Sequence, residues 1–163
     1  MLKLSKITDY GLLAAVYLAR QNGRTCSARE IAEFYSLPLP MISKVLKILH
    51  DSGTIESTRG ASGGYSFEGD PRRVTLRGLI EALEGPWDLV ECNTFDEEGH
   101  AVCTIRSACP SRTFMSGINR AIQTAFDEVT LEDLLNGVDR KAWMETGSKI
   151  VDSVREASPF ENA

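Results

Sequence analysis

AREIAEFYSLPLPMISKVLKIL, residues 28–49, holds two helical patterns separated by a break that calls for a turn. Its first part follows Ser27, and Ser27 to Glu30 has the form of a capping box. There the Ser27 hydroxyl accepts from the Glu30 amide while the Glu30 side chain reaches back. A short helix over about 27–35 should bury Ile31 and Phe34 or Tyr35. Pro38 and Pro40 break it, because proline removes a donor and restricts the residue before it, yet Pro40 suits the first turn of a new helix. That new helix carries Ile42, Val45, Leu46 and Leu49 at i, i+3, i+4 and i+7, with Ser43, Lys44, Lys47 and His50 elsewhere around it. Gly53 supplies a left-handed cap. Two short helices across a tight turn, the second with a cationic outer face, fit a helix-turn-helix that enters the DNA major groove. They also fit a plain helical hairpin inside a bundle.

The next segment, TIESTRGASGGYSFEGD at 54–70, favours the first reading. Alternating stretches at 54–59 and 64–67 flank a glycine-rich tip, the pattern of a β-hairpin. A hairpin directly after the second helix makes a winged helix. Arg59 stands at the tip, where a guanidinium can reach phosphates or a narrow minor groove, or simply be a solvated turn residue.

Further out, residues 8–20 place Leu12, Leu13, Val16, Tyr17 and Ala19 at roughly helical spacing before Gln21-Asn22-Gly23 ends the helix. TLRGLIEALE, 75–84, makes a fourth helix with Leu76, Leu79, Ile80 and Leu83 on one face, and Gly85-Pro86 closes it. The expected fold is mainly α with a small β-hairpin wing. A winged helix-turn-helix DNA-binding domain occupies 1–85, a cysteine-bearing loop 86–110 and a long dimerisation helix region 111–136. For the tail, 137–163, amphipathic helical character is expected around Trp143 to Val154. In the long helix Phe114, Ile118, Ile122, Ala125, Phe126 and Val129 form one apolar stripe, which needs cover from its own domain or from a second copy. Dimerisation is favoured because it matches the two-fold symmetry of operator half-sites. TLEDLL at 130–135 suggests a short capped helix.

Composition bounds the function. The chain has 163 residues, 42% apolar and 25% charged, enough for a real core. Its net charge of -5 excludes a uniformly basic nucleic-acid binder, but the charge divides by halves. Residues 1–84 carry 11 Lys and Arg against 9 Asp and Glu, and residues 85–163 carry 7 against 14, so only the first half suits an anionic partner. Asp9 and a polar start interrupt the first apolar run; no signal peptide and no membrane span are expected. A cytoplasmic chain follows, in which thiols stay reduced and clustered cysteines more often serve metal or redox chemistry than a disulfide frame. No catalytic dyad, phosphate loop or cofactor fingerprint is present, so the chain is not expected to be an enzyme.

LSKITDYGLLAAVYLA (4–19), AREIAEFYSLPLPMISKVLKIL, RGASGGYSF (59–67), TLRGLIEALEGP (75–86) and three downstream cysteines together resemble the BadM/Rrf2-type transcription regulators. That family includes iron–sulfur regulators of the Isc and Suf assembly systems and nitric-oxide-sensing NsrR repressors. The resemblance covers about residues 1–135, and ITDYGLLAA and INRAIQTAFDEVTLEDLL are most similar to the Suf-system regulators. It implies a homodimer of winged helices with a long crossing helix, one iron–sulfur cluster per subunit (2Fe–2S or 4Fe–4S), and binding to double-stranded promoter DNA. The implied function is cluster-sensing transcriptional regulation, as a repressor of cluster-assembly or related stress genes.

Cys92, Cys103 and Cys109 are separated by ten and five residues, which is not the CxxC pair of structural zinc. Thiolates are soft ligands that hold iron–sulfur clusters, usually four at a time, so three leave one place open. Some relatives fill it with a histidine shortly after the third cysteine; here Arg112 stands there. Two substitutes exist. Asp9 matches the position where NsrR-like relatives use an aspartate from the opposite subunit, although a carboxylate near a helix start also suits the helix dipole. His100 lies in the loop itself, where a histidine is otherwise a solvated side chain. Thiol–disulfide sensing without a cluster, with Cys103 and Cys109 pairing, and a zinc site are the alternatives. Cys26 reads as a small buried filler. On DNA, Lys44 and Lys47 supply phosphate attraction, Ser43 reaches a base edge and Arg59 the minor groove. Pro38 and Pro40 stand where Isc-type relatives have polar residues, so the resemblance implies no operator sequence.

Overall fold

A computed structural model describes residues 4–60, 63–91, 94–96 and 98–137. Cys92 and the proposed tail helix around 143–154 lie outside the described residues. The chain divides into two compact units: Met1–Pro86 with Asp127–Gly137 form one, and Trp87–Phe126 falls in the other.

In the first unit, α1 (Lys6–Arg20) starts at Ser5, whose hydroxyl accepts from the amides of Ile7 and Thr8. It buries Thr8, Gly11, Ala14, Ala15, Tyr17, Leu18 and Ala19. Leu13, expected on the apolar face, is 37% exposed, and Leu12 and Val16 are only half-buried. The reason is close helix packing: a Cβ on Gly11 would run into the Leu83 side chain, so small residues line the contact. The buried Thr8 hydroxyl is satisfied by the Glu84 carboxylate, which also accepts from the Ser5 amide at 2.9 Å.

α2 (Ala28–Tyr35) is capped by Ser27, which accepts from the Glu30 amide at 3.1 Å. The Glu30 carboxylate is spent mainly elsewhere, on Arg24 and on the Tyr17 hydroxyl at 3.0 Å. Arg24 foremost holds the Glu30 carboxyl below its ordinary range, with the Ser27 backbone a lesser contributor. Ile31 is fully buried and Tyr35 half-buried, whereas Phe34 is 64% exposed with its ring edge-on to Tyr17 and Tyr35. Ser36 at φ +54° ends the helix in the left-handed region. α3 (Leu39–Asp51) follows, with Pro38 at its N-cap, Pro40 in its first turn and Gly53 at φ +74° beyond its end.

β1 (Glu56–Thr58) and β2 (Gly64–Ser66) form the antiparallel hairpin, pairing Glu56 with Ser66, Ser57 with Tyr65 and Thr58 with Gly64. A single 3₁₀ turn (Pro71–Arg73) leads to α4 (Leu76–Glu84), capped by Thr75. α5 (Arg112–Glu128) and α6 (Leu131–Asn136) complete the described elements. Thr130 and Asp133 form a reciprocal capping box at the start of α6, so that helix is capped as expected. Leu131 of α6 joins Leu18, Ile31, Ile42, Val45, Leu46, Leu49, Ile55, Leu79 and Leu83 in one core. Backbone bonds from the Leu76 amide to the Val129 carbonyl (2.7 Å) and from the Leu131 amide to the Val74 carbonyl (2.8 Å) fix that return.

In the second unit Trp87 lies 5.7 Å from Phe126, ring to ring, and Asn119 is buried. Asn119 accepts from the Leu89 amide and donates to Asp88, both at 2.7 Å, tying the start of the cysteine loop to α5.

Candidate nucleic-acid interface and thiol loop

α3 turns Ile42, Val45, Leu46 and Leu49 into the core and leaves Leu39, Pro40, Ser43, Lys44 and Lys47 exposed on the opposite arc. At 100° per residue those five positions span about 140°, a face free of packing and ready for a groove. Thus Ser43, Lys44 and Lys47, proposed from sequence as DNA contacts, share one solvent-facing side. Arg59, also exposed, follows β1 directly and precedes Gly60 at φ +119°.

Two residues without an expected positioning role hold the wing in place, His50 from α3 and Cys26 from the segment before α2. His50, near the end of α3, makes Nδ1 contact with the Ile55 carbonyl at 3.2 Å and Nε2 contact with the Ser57 hydroxyl at 3.1 Å. A carbonyl only accepts, so Nδ1 carries the proton and, in the neutral ring, Nε2 accepts from Ser57. Cys26 is the second: its amide donates to the Tyr65 carbonyl and its carbonyl accepts from the Tyr65 amide, each at 2.8 Å. Its side chain is a buried filler, as expected, and burial pushes the thiol pKa up, which keeps it protonated and inert. The bridge is made by backbone groups, so the Cys26 side chain carried no signal of it.

Between α4 and α5 the described residues make several local contacts. Phe95 and Ala101 form an antiparallel bridge, and Asp96 Oδ1 accepts from the amides of Glu98 (3.0 Å) and His100 (2.7 Å) to close the turn between them. The Arg106 guanidinium sits 5.0 Å over the Phe95 ring. His100 points Nδ1 at Asp96 Oδ2 (3.6 Å) and Glu98 Oε2 (3.5 Å), so its ring is engaged by carboxylates within the turn. Cys103 and Cys109 are free, half-buried thiols on either side of a turn in which the Arg106 amide bonds the Cys103 carbonyl and the Ala108 amide the Ile105 carbonyl. Asp9 is exposed in the first turn of α1, where Ser5 already holds the cap; its carboxylate has no hydrogen bond or ion pair among the described residues.

As donors, two free thiols and an unengaged carboxylate suit a thiophilic iron centre in kind. Among the described residues, however, no three His, Cys, Asp or Glu side chains come together as a metal-binding group. No helix among them is long and apolar enough to cross a membrane.

A helical pair across a tight turn, its second member an exposed lysine-bearing recognition helix, and a hairpin pinned beside it define a winged helix-turn-helix DNA-binding protein. A family model described as "Rrf2: Iron-dependent Transcriptional regulator" matches residues 4–137. The chain is 32% identical over 136 residues to the HTH-type transcriptional repressor NsrR of Streptomyces coelicolor, covering 82% of this chain and 88% of that protein. It is 35% identical over 140 residues to the putative HTH-type transcriptional regulator BadM of Rhodopseudomonas palustris, covering 85% and 84%. The structure of CymR (YrzC), the global cysteine regulator of B. subtilis, superposes with a TM-score of 0.66 at 29% identity, over 85% of this chain and all of that one. The chain therefore belongs to the Rrf2 family of transcriptional regulators, a non-enzymatic DNA-binding family.

Proposed function

We propose that this Rrf2-family regulator is a cytoplasmic homodimeric repressor that senses an iron–sulfur cluster and binds promoter DNA through Ser43, Lys44, Lys47 and Arg59. Cys92, Cys103 and Cys109 hold the cluster, with Asp9 of a second copy as fourth ligand and His100 as the alternative. The carrying observation is the state of the donors: Cys103 and Cys109 are unpaired thiols at partial exposure, and Asp9 is a carboxylate with no hydrogen bond or ion pair among the described residues. His100 is the weaker candidate because Asp96 and Glu98 already face its ring. A bound cluster supplies a tie among its ligands that oxidants and competing ligands can break.

The remaining residues couple that tie to DNA. The stripe of α5 supports a dimer: Phe114 is 49% exposed and Ile118 and Ile122 are only half-buried. The end of α5 is built into the unit that carries α3, because Arg77 of α4 bridges Glu81 (2.7 Å) and Asp127 (3.0 Å) and the Val129 carbonyl takes the Leu76 amide. A change in dimer geometry at α5 is then felt by α4, by α1 packed on it and by α3, altering the population of dimers whose recognition helices match two half-sites.

Anaerobic purification with visible absorbance, iron and sulfide counts and native mass spectrometry, on wild type, Asp9→Ala and His100→Ala, tests this. A coloured dimer with stoichiometric iron and sulfide that is lost or altered in Asp9→Ala supports the assignment. A colourless protein after anaerobic reconstitution refutes it and favours a second reading, a cluster-free thiol switch. Cys103 and Cys109 flanking one turn support that alternative, and a mass loss of two hydrogens after mild oxidation would detect their disulfide.

A further inference from the structure

We propose that Leu39, framed by Pro38 and Pro40, is a specificity-determining residue that reads thymine C5-methyl groups in the major groove; this rests on the DNA-binding reading above. A helix-turn-helix presents the N-terminal residues of its second helix to base edges. Here those residues are apolar and uncovered: Leu39 is 37% exposed and both prolines are exposed.

The turn also has little else to offer. Pro38 provides no side-chain cap, no acidic residue lies in the first turn, and Pro40 has no N–H. The amides of Met41 (3.0 Å) and Ile42 (3.2 Å) both bond the Pro38 carbonyl. Among the described residues, that leaves the Leu39 amide as the one first-turn donor without an acceptor, too little for the usual anion-binding role of a helix N-terminus. Hydrogen-bond readout from this turn is therefore poor, and apolar contact is what its side chains can give. In the major groove the apolar group is the thymine methyl. By helical spacing Leu39, Ser43 and Lys47, at i, i+4 and i+8, follow one line, continuous with the polar DNA contacts. The line runs from a methyl reader through a base-edge hydroxyl to a phosphate-seeking ammonium.

Selection from random duplexes by the full chain, reduced and oxidised, supplies the preferred site. Each thymine is then replaced singly by deoxyuridine, which removes only the methyl, and Kd is measured by fluorescence anisotropy at fixed salt. Wild type should lose about four-fold at one or two positions per half-site, the ~0.8 kcal/mol of one buried methyl-sized group converted at 1.4 kcal/mol per decade. Leu39→Ala should bind the thymine site less tightly and lose that sensitivity at the same positions, while Leu39→Met retains it. Thermal melting checks that both variants are folded. Indifference of the wild type to every replacement, or losses unchanged in Leu39→Ala, would overturn the proposal while leaving DNA binding intact. Failure to select any duplex in either redox state would overturn the DNA-binding reading and this proposal with it.

Discussion

Gly64→Ala should destabilise the protein by about 2 kcal/mol, although glycine-to-alanine substitution in an ordinary strand is favourable. The gain expected from reduced freedom of the unfolded chain is ~0.4–1 kcal/mol. Against it stands backbone: a Cβ at residue 64 would lie 2.7 Å from the Cys26 carbonyl carbon, closer still to its oxygen, and 3.1 Å from Thr25 Cγ2. No rotamer change relieves a clash with main chain, so the wing must move off residue 26. The reciprocal Cys26–Tyr65 hydrogen bonds, 2.8 Å each, then stretch or break. Two such bonds are worth ~1 kcal/mol each net, and residual overpacking adds ~1 kcal/mol, leaving about 2 kcal/mol after the entropic gain. Urea unfolding followed by circular dichroism measures the total, and amide exchange localises it: protection at Cys26 and Tyr65 should fall more than at Leu46. A variant as stable as wild type, with both amides still protected, would refute the docking of the wing on residue 26.

Gly78→Ala is the counterpart, because in the first turn of α4 its Cβ meets only Thr75 Oγ1, at 3.4 Å, among the described residues; it should stabilise by roughly 0.5 kcal/mol in the same urea assay. On DNA, Lys47→Ala should weaken all sequences alike and reduce the slope of log Kd against log salt by about one, whereas Ser43→Ala should weaken the selected site more than random DNA; equal losses on both for both variants would break that division of labour. The Glu84 carboxyl is held below its ordinary value first by the Thr8 hydroxyl and then by Ser5. Its folded pKa is thus depressed, so its contribution is present above the unfolded value of about 4.3 and lost as pH falls through the folded one. Glu84→Gln should therefore flatten the acid limb of the urea-midpoint curve below about pH 4.5, and curves that stay parallel to wild type would refute the link.

Much of the fold was legible because its signals are local. Ser27, Thr130 and Gly53 announce helix ends within three or four residues, and the four large apolar side chains of α3 repeat at a spacing that only a helix buries on one side. The face of α1 was legible only in part: Tyr17 and Ala19 are buried as expected, but Leu12, Leu13 and Val16 are not, and the structure buries Thr8, Gly11, Ala14 and Ala15 as well. That choice is dictated by α4, some 70 residues away in the chain, whose Leu83 occupies the space above Gly11 and whose neighbour Glu84 satisfies Thr8. The same holds for the return of α6 to the first unit and for Asn119, a polar residue buried inside α5 because the Leu89 amide and the Asp88 carboxylate meet it there.

The candidate sites divide along the same line. Exposure of Ser43, Lys44 and Lys47 follows from one helix and its own buried stripe, so sequence spacing suffices to find that surface. A ligand set drawn from Asp9, Cys92, Cys103 and Cys109 is different in kind, since its three cysteines share one loop while Asp9 stands on α1 and is proposed to come from a second copy. Spacing of ten and five residues defines no geometry by itself, and in the proposed set Asp9 joins the cysteines only when dimer formation brings it to them. The protein's sensing is therefore proposed to be inseparable from its assembly, and substitutions on the exposed stripe of α5, such as Phe114 and Ile118, should impair metal content and DNA affinity together even though neither residue is proposed to touch iron or DNA.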